Sequence, residues 1–345
     1  MRLVALILLA ALALVPAASA CLFHGYVPSE TIVDRMLASR QIVLARPLAE
    51  SPFKFTAVAA LKGDPSDAEI PHLVDSQSRL KMAAHPQDTV MFARDAKDGT
   101  WLRLAYLDAD FRAVVEGVAA RLPDWAAGDD ADRSRMFAGL YDHPNRDIRN
   151  LAVQELDRVD YAVLRDLDLH PDSRAIRSRL VNVSELHLLP IRVLLIGLSG
   201  DPDAQEFLAN GVSKLRDTNL ALMGAYATAW LELSGAEAAK ALSEQYLLDP
   251  DTWPTAKELI VEAMAIHSRS GDLSTRRAIL AELRGTLARA PELAPAAAQH
   301  FGAREDWSLR DALAGVLDAN AMDKPGDVIA VRHYVALAAN DRNRE

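Results

Sequence analysis

The chain has only one cysteine among its 345 residues, and no part of it is strongly basic. With a single cysteine, no internal disulfide can form, so the folded state must depend on packing. The formal net charge is −10, which argues against a nucleic-acid partner because such partners require a basic surface. After residue 20 there is no apolar run near the ~18 residues that are needed to span a bilayer. We therefore expect a soluble mature chain.

The first twenty residues, MRLVALILLAALALVPAASA, have the pattern of a secretory signal peptide. One basic residue precedes an apolar core at 3–15, and the small residues Ala-Ser-Ala at 18–20 form a cleavage pattern. We expect residues 1–20 to be removed. The mature protein is then extracytoplasmic, either periplasmic or secreted.

Cys21 follows this cleavage pattern directly and would be the first residue of the mature protein. The stretch Ala-Ser-Ala-Cys resembles a bacterial lipobox, although Ala18 stands where leucine is usual, and lipidation of Cys21 would tether the protein to the cell envelope. Two alternatives remain. Cys21 and His24 could begin a metal site, or Cys21 is an incidental N-terminus. Lipidation of Cys21 is the only membrane contact that the sequence predicts.

Residues 21–122 predict a small β domain with flanking helices. A short helix is expected after Ser29, and Gly63 and Gly99 are expected in turns. Short segments rich in β-branched and aromatic residues are separated by proline, glycine and aspartate, which favours five or six strands in an antiparallel sheet or barrel. The predicted strands lie at 41–45, 53–58, 69–73, 89–93 and 101–104.

The order of features in this domain is a first cysteine, a helix, Val-Leu-Ala-Arg at 43–46, Ala-Leu-Lys-Gly-Asp at 60–64 and Thr-Val-Met-Phe-Ala at 89–93. This order resembles the netrin-like or TIMP-like module, an OB-type barrel. In the inhibitors of that family, the amine and carbonyl of the first cysteine chelate a protease zinc. The resemblance therefore implies a metalloprotease-inhibitor-like role through Cys21, which is the only match to the cysteines of the family.

Residues 123–133, PDWAAGDDADR, have the composition of a linker. Beyond the linker, residues 134–345 show helical spacing of apolar residues and a repeated turn. Gly200 is echoed by Gly235 and Gly271, at spacings of 235 − 200 = 35 and 271 − 235 = 36 residues. A helical pair of this period cannot bury its apolar face alone and must stack on copies of itself, which predicts an α-solenoid.

Several turn and helix positions recur through this region in a related pattern, and we predict a structural role for them: Asp142, Pro144, Arg149, Arg177, Gly200, Asp201, Gly235 and Gly271. The pattern, over about 130–345, resembles the HEAT-repeat family. The resemblance implies contacts between turn aspartates and helix arginines of neighbouring units, and hence a structural ladder for Asp142 and Arg149. The predicted fold class is α+β multidomain, with a small antiparallel β-barrel-like domain followed by an all-α, HEAT-like superhelical solenoid.

No catalytic residue, cofactor or metal ligand can be assigned from the sequence. Ser51 and Lys54 have the spacing of a Ser-x-x-Lys motif but lack its helix and companion motifs. The acidic clusters at 108–110 and 129–132 do not continue into a calcium-binding loop. The nine histidines are scattered, without the i, i+4 spacing of a zinc site on a helix.

These observations favour an exported, non-enzymatic binding or scaffold protein whose solenoid surface engages an unknown protein or peptide partner. Two alternatives remain open. The first is an enzyme whose site lies in the cleft between the domains and is assembled from residues distant in sequence, because function belongs to sites and not to folds. The second is metalloprotease-inhibitor-like binding through the N-terminal domain.

Overall fold

The computed structural model describes residues 26–218 and 221–342. These residues form two compact units, one made of residues 29–157 and the other mainly of the chain from Arg158 onward. The predicted signal peptide at 1–20 and Cys21 lie outside the described residues. In the part of the chain that is described, no helix is both long and apolar enough to cross a membrane.

The first unit contains a four-stranded antiparallel sheet, in the order β2-β1-β3-β4, together with five helices. In chain order its elements are α1 (Ile32–Ala38), β1 (Ser39–Leu48), β2 (Ser51–Lys62), α2 (Ser76–Ala84), β3 (Thr89–Asp95), β4 (Trp101–Leu107), α3 (Ala109–Ala126), α4 (Asp130–Ala138) and α5 (Arg146–Leu156).

Strand β1 is buried on both faces. Successive side chains of a strand point to opposite sides, and here Ile42 and Leu44 join one apolar cluster while Val43 and Ala45 join another. The first cluster includes residues of α1, α3, α4 and α5, and the second includes Met82 of α2. A continuous apolar run is therefore required at the centre of this sheet, because neither face meets water.

The sheet is open, with β2 and β4 at its edges, so the predicted barrel is not what the described residues form. The segment predicted as a strand at 69–73 contributes only an isolated bridge between Lys54 and Leu73. The predicted turns are present, since Gly63 and Gly99 both have positive φ and β3 pairs with β4 as an antiparallel hairpin. The predicted short helix is α1, which is capped by Thr31.

The segment 123–133, predicted as a linker, is mostly helical. Residues 123–126 are the last residues of α3, and α4 begins at Asp130. Trp125 is buried, and its indole Nε1 donates to Asp132 Oδ2 at 3.0 Å. Helices α4 and α5 supply Phe137 and Ile148 to the apolar cluster of the first unit. Residues that the sequence assigned to the solenoid, up to Asp157, therefore belong to the first compact unit.

From residue 158 onward, every regular element that the structure describes is helical, which is consistent with a solenoid. The α-helices of this region are α6 (Tyr161–Asp166), α7 (Ser173–Arg179), α8 (Leu189–Leu198), α9 (Gln205–Leu215), α10 (Leu222–Leu242), α11 (Pro254–Ser270), α12 (Leu273–Arg289), α13 (Ala294–Gly302), α14 (Arg310–Asp318) and α15 (Pro325–Arg342). A π-helical turn, Ser243–Leu247, follows α10.

The three glycines of the predicted period all lie where a helix ends or is interrupted. Gly200 follows α8 with φ +65°, and Gly271 is the C-terminal cap of α11. Gly235 has φ 50° and ψ −118° and breaks the regular course of α10. The period read from the sequence is therefore a period of helix boundaries.

Candidate functional site

Arg149, one of the predicted structural residues, bonds the turn that precedes its own helix. Asp142 and Pro144 lie in the turn between α4 and α5. Arg149 of α5 donates from Nη1 to the His143 carbonyl at 2.6 Å and to the Pro144 carbonyl at 3.3 Å. Two hydrogen bonds of Arg149 thus end on backbone oxygens of this turn.

Arg177 and Asp201 link successive helical pairs in the second unit. Arg177 Nη1 donates to the Asp203 carbonyl at 3.4 Å, and its guanidinium lies 5.9 Å from the centre of the Phe207 ring. Ser173, at the start of α7, donates its hydroxyl to Asp201 Oδ2. At this junction Arg177 therefore bonds a backbone carbonyl and Asp201 a serine hydroxyl, whereas the resemblance implied a contact between the aspartate and arginine side chains.

A buried polar network joins α6, α10 and α11. Glu232 Oε2 accepts hydrogen bonds from the Tyr161 hydroxyl at 2.9 Å and from Arg165 Nε at 2.7 Å. Arg165 also donates to the carbonyl of Ser270. On the other side, His267 Nδ1 lies 3.8 Å from the same carboxylate oxygen, and His267 Nε2 bonds the Thr228 carbonyl at 2.9 Å.

The environment of this network fixes protonation states. Burial raises the pKa of Tyr161 well above its usual range, and the Glu232 carboxylate acts in the same direction. Burial lowers the pKa of His267. Tyr161 and His267 are 2 % and 1 % exposed, so neither side chain is presented to a substrate. We therefore assign the network to packing between helices.

An open groove lies between α9 and α10. It has a volume of about 880 Å³. Asp203 and Glu206 line the side formed by α9 and the turn before it, and Trp230, Glu237 and Tyr246 line the opposite side. We call it the acidic groove.

The local fold of α10 explains how distant residues reach the acidic groove together. Trp230 precedes the interruption at Gly235 and Glu237 follows it, so the two side chains come from the two helical segments on either side of this break. Tyr246 lies in the π-helical turn. Such turns are rare and occur frequently at functional sites.

The acidic groove combines carboxylates with aromatic rings. Asp203, Glu206 and Glu237 line it, with no lysine, arginine or histidine among its described lining residues. From outside, Arg174 Nη2 pairs with Asp203 Oδ2 at 3.2 Å. Gln205 Nε2 donates to Glu237 Oε1 at 3.1 Å. Negative charge beside aromatic faces is suited to a cation.

Trp230 also offers an unused hydrogen-bond donor. Its side chain is 6 % exposed, and its indole Nε1 has no acceptor among the described residues. A buried donor without an acceptor is uncommon in folded proteins.

From the sequence, no functional role is predicted for Trp230, Glu206, Glu237 or Tyr246. The acidic residues are visible in the sequence, but nothing in it shows that α9 and the distal part of α10 face one another. Over residues 26–218 and 221–342, no group of three or more histidine or acidic side chains could hold a metal ion. No protein-family model, curated protein or solved structure shows a significant match to the chain.

Proposed function

We propose that this chain is an exported, non-enzymatic binding or scaffold protein that holds a basic segment of a protein or peptide partner in the acidic groove. The helical unit would be a HEAT-like superhelical solenoid. The observation that carries the proposal is the position of Trp230 and Tyr246 beside Asp203, Glu206 and Glu237 in one groove.

The chemistry of the acidic groove favours lysine or arginine side chains as ligands. A cation over an aromatic face contributes about 0.5–2 kcal/mol, depending on how far it is desolvated. An exposed ion pair with a carboxylate adds about 0.2–1 kcal/mol. The formal net charge of −10 would also speed the approach of a basic partner, in a manner that salt suppresses. Several basic side chains in one segment are therefore needed for useful affinity.

The proposed location follows from the N-terminal sequence alone. The pattern of residues 1–20 supports an extracytoplasmic protein, and the Ala-Ser-Ala-Cys stretch supports lipidation of Cys21 as its membrane contact. The acidic groove would then face partners outside the cytoplasm.

The test is the affinity of a fluorescein-labelled peptide with four lysines, measured by fluorescence polarisation at low salt. The double variant Glu206→Gln and Glu237→Gln removes two carboxylates without changing side-chain size. We expect its Kd to rise about tenfold, since two lost ion pairs amount to about 1.4 kcal/mol. A glutamate peptide of equal length should not bind.

The matched control is the double variant Glu116→Gln and Glu244→Gln. Both of these glutamates are exposed, and neither lines the acidic groove. The control loses the same charge and should keep the wild-type Kd. Equal weakening of both double variants would reduce the effect to general charge attraction, and the proposed site would then be abandoned.

A further inference from the structure

A second cavity, of about 610 Å³, lies at the N-terminal end of α11. Thr252, Pro254 and Lys257 line it from α11 and the turn before it. Leu293 and Met322 contribute apolar surface from the segments that precede α13 and α15. Its volume lies in the usual range for small-ligand sites, about 300–1,000 Å³. We call it the α11 pocket.

Lys257 is a mostly buried lysine of this pocket. Its side chain is 9 % exposed, and within the described residues no ion pair or hydrogen bond is made by its ammonium. A lysine is rarely buried to this extent without a partner.

Thr252 adds a second unused group in the same place. Thr252 is 2 % exposed, and its hydroxyl oxygen is buried without a hydrogen-bond partner in the described part of the chain. Leaving such a group unsatisfied costs about 1–3 kcal/mol. Lys257 and Thr252 therefore both lack a ligand, and both line one cavity.

The end of α11 supplies a third attraction for an anion. This helix has 17 residues, its N-terminal cap Trp253 makes no side-chain hydrogen bond, and Pro254 occupies its first turn. The helix dipole places about half a positive charge at this end. An anion in the α11 pocket would lie beside Pro254 and Lys257 of this first turn, where the dipole, the ammonium and the hydroxyl all favour negative charge.

The rim of the α11 pocket narrows the choice of anion. Glu258, Glu292, Asp323 and Asp327 line it as well, with Lys324. These carboxylates would repel a dianionic phosphate, and they would attract positive charge on the same ligand. The ligand should therefore carry one carboxylate, a small apolar part and a cation further along. The carboxyl-terminal end of a short peptide with an upstream basic residue has all three.

We propose that the α11 pocket binds the free carboxyl terminus of such a peptide, with the carboxylate held by Lys257, Thr252 and the N-terminal end of α11. The apolar side chain of the last residue would lie against Leu293 and Met322. The upstream basic residue would face the acidic rim. This site uses none of the residues of the acidic groove, and it does not depend on the function proposed for that groove.

The test compares two labelled peptides of sequence Lys-Lys-Gly-Ala-Ala, one with a free carboxylate and one with a carboxamide end, in fluorescence polarisation. The free acid should bind at least about tenfold more tightly to the wild-type protein, because only it carries the charge that Lys257 would neutralise. In Lys257→Met the ratio of the affinities of the acid and the amide peptide should fall to near one. Thr252→Val should reduce it a few-fold. Thermal unfolding of both variants checks that they remain folded.

Two controls separate this site from general attraction. Lys240→Met removes an exposed lysine of α10 and should keep the wild-type ratio. The double variant Glu206→Gln and Glu237→Gln should weaken both peptides equally through the acidic groove and leave the ratio of their affinities unchanged. An acid-to-amide ratio near one in the wild-type protein overturns the proposal. A ratio that survives in Lys257→Met, or displacement of the peptide by inorganic phosphate more readily than by acetate, also overturns it.

Discussion

Distant parts of the chain are joined by backbone hydrogen bonds in the first unit and by side-chain hydrogen bonds in the helical unit. In the first unit, β1 pairs with β3, so that Ile42 lies opposite Ala93 through backbone hydrogen bonds across the sheet. In the helical unit, each helix satisfies most of its own backbone groups internally. Its side chains must therefore make the long-range polar contacts. Glu232 does so by accepting from Tyr161, 71 residues away, and from Arg165, 67 residues away.

Because of this difference, we expect two ion pairs of equal length, one in each unit, to contribute unequally to the free energy of unfolding. In the first unit, Arg112 Nε lies 2.7 Å from Glu116 Oε1 within α3, and both side chains are exposed by more than a third. In the helical unit, Arg165 Nε lies 2.7 Å from Glu232 Oε2, with side-chain exposures of 27 % and 13 %. The first pair lies in water on one helix, whereas the second joins different helices.

The largest expected effect comes from removing the Glu232 carboxylate. Glu232→Leu leaves the Arg165 guanidinium and the Tyr161 hydroxyl without their acceptor in a mostly buried place. We expect the free energy of unfolding to fall by about 3 kcal/mol, the lower end of the cost of breaking a buried pair. Urea unfolding followed by circular dichroism measures it.

Glu116→Leu is the matched variant, because it removes the partner of an arginine at the same distance. Its cost should stay below about 0.5 kcal/mol, as for other exposed helix pairs. If both variants lost the same stability, burial would not be the reason for the difference between the two units.

The second expected effect tests how the turns of the helical unit are built. Gly235 and Gly200 both have positive φ, but only Gly235 is enclosed. A Cβ at Gly235 would lie 2.7 Å from Thr275 Oγ1, and that hydroxyl donates to Asp272, the N-terminal cap of α12, at 2.7 Å. Gly235→Ala should cost about 2 kcal/mol, from backbone strain and a displaced cap.

Gly200→Ala is the control, since a Cβ there meets no atom within 4 Å. Only the backbone conformation opposes alanine at this position, and the loss should be about 1 kcal/mol. Thermal unfolding of the two variants side by side gives the comparison. Equal losses would mean that the contact with Thr275 adds nothing to the strain of the turn.

The sequence predicted those parts of the fold that depend on local chemistry. Glycines at 200, 235 and 271 marked helix boundaries because a left-handed residue or a helix end favours glycine. The run of apolar residues in β1 marked a strand. The helix α2 was not predicted, because its sequence SQSRLKMAA has little apolar periodicity and its start depends on the cap at Asp75, which accepts from the Ser78 amide at 2.8 Å.

The division into units and the candidate site could not be predicted in this way. The segment at 123–133 has linker composition, but the burial of Trp125 in the first unit depends on apolar residues far along the chain. The acidic groove likewise needs α9 and the distal part of α10 to face one another. Whether a glutamate lies in water or in a groove is decided by packing, which a single sequence does not display.

The smallest expected effect is a change in the pH dependence of the helical unit. Burial lowers the pKa of His267 from its ordinary value of 6.5, and the nearby Glu232 carboxylate only partly opposes this shift. Below about pH 6.5 the unfolded chain therefore binds a proton that the folded chain rejects, so the free energy of unfolding falls as the pH decreases.

His267→Gln keeps a donor for the Thr228 carbonyl and removes this proton. Between pH 7 and pH 5.5 it should lose about 1 kcal/mol less than the wild-type protein. His333→Gln changes an exposed histidine and should follow the wild-type curve. Identical pH curves for His267→Gln and the wild-type protein would show that His267 is protonated as readily in the folded as in the unfolded state.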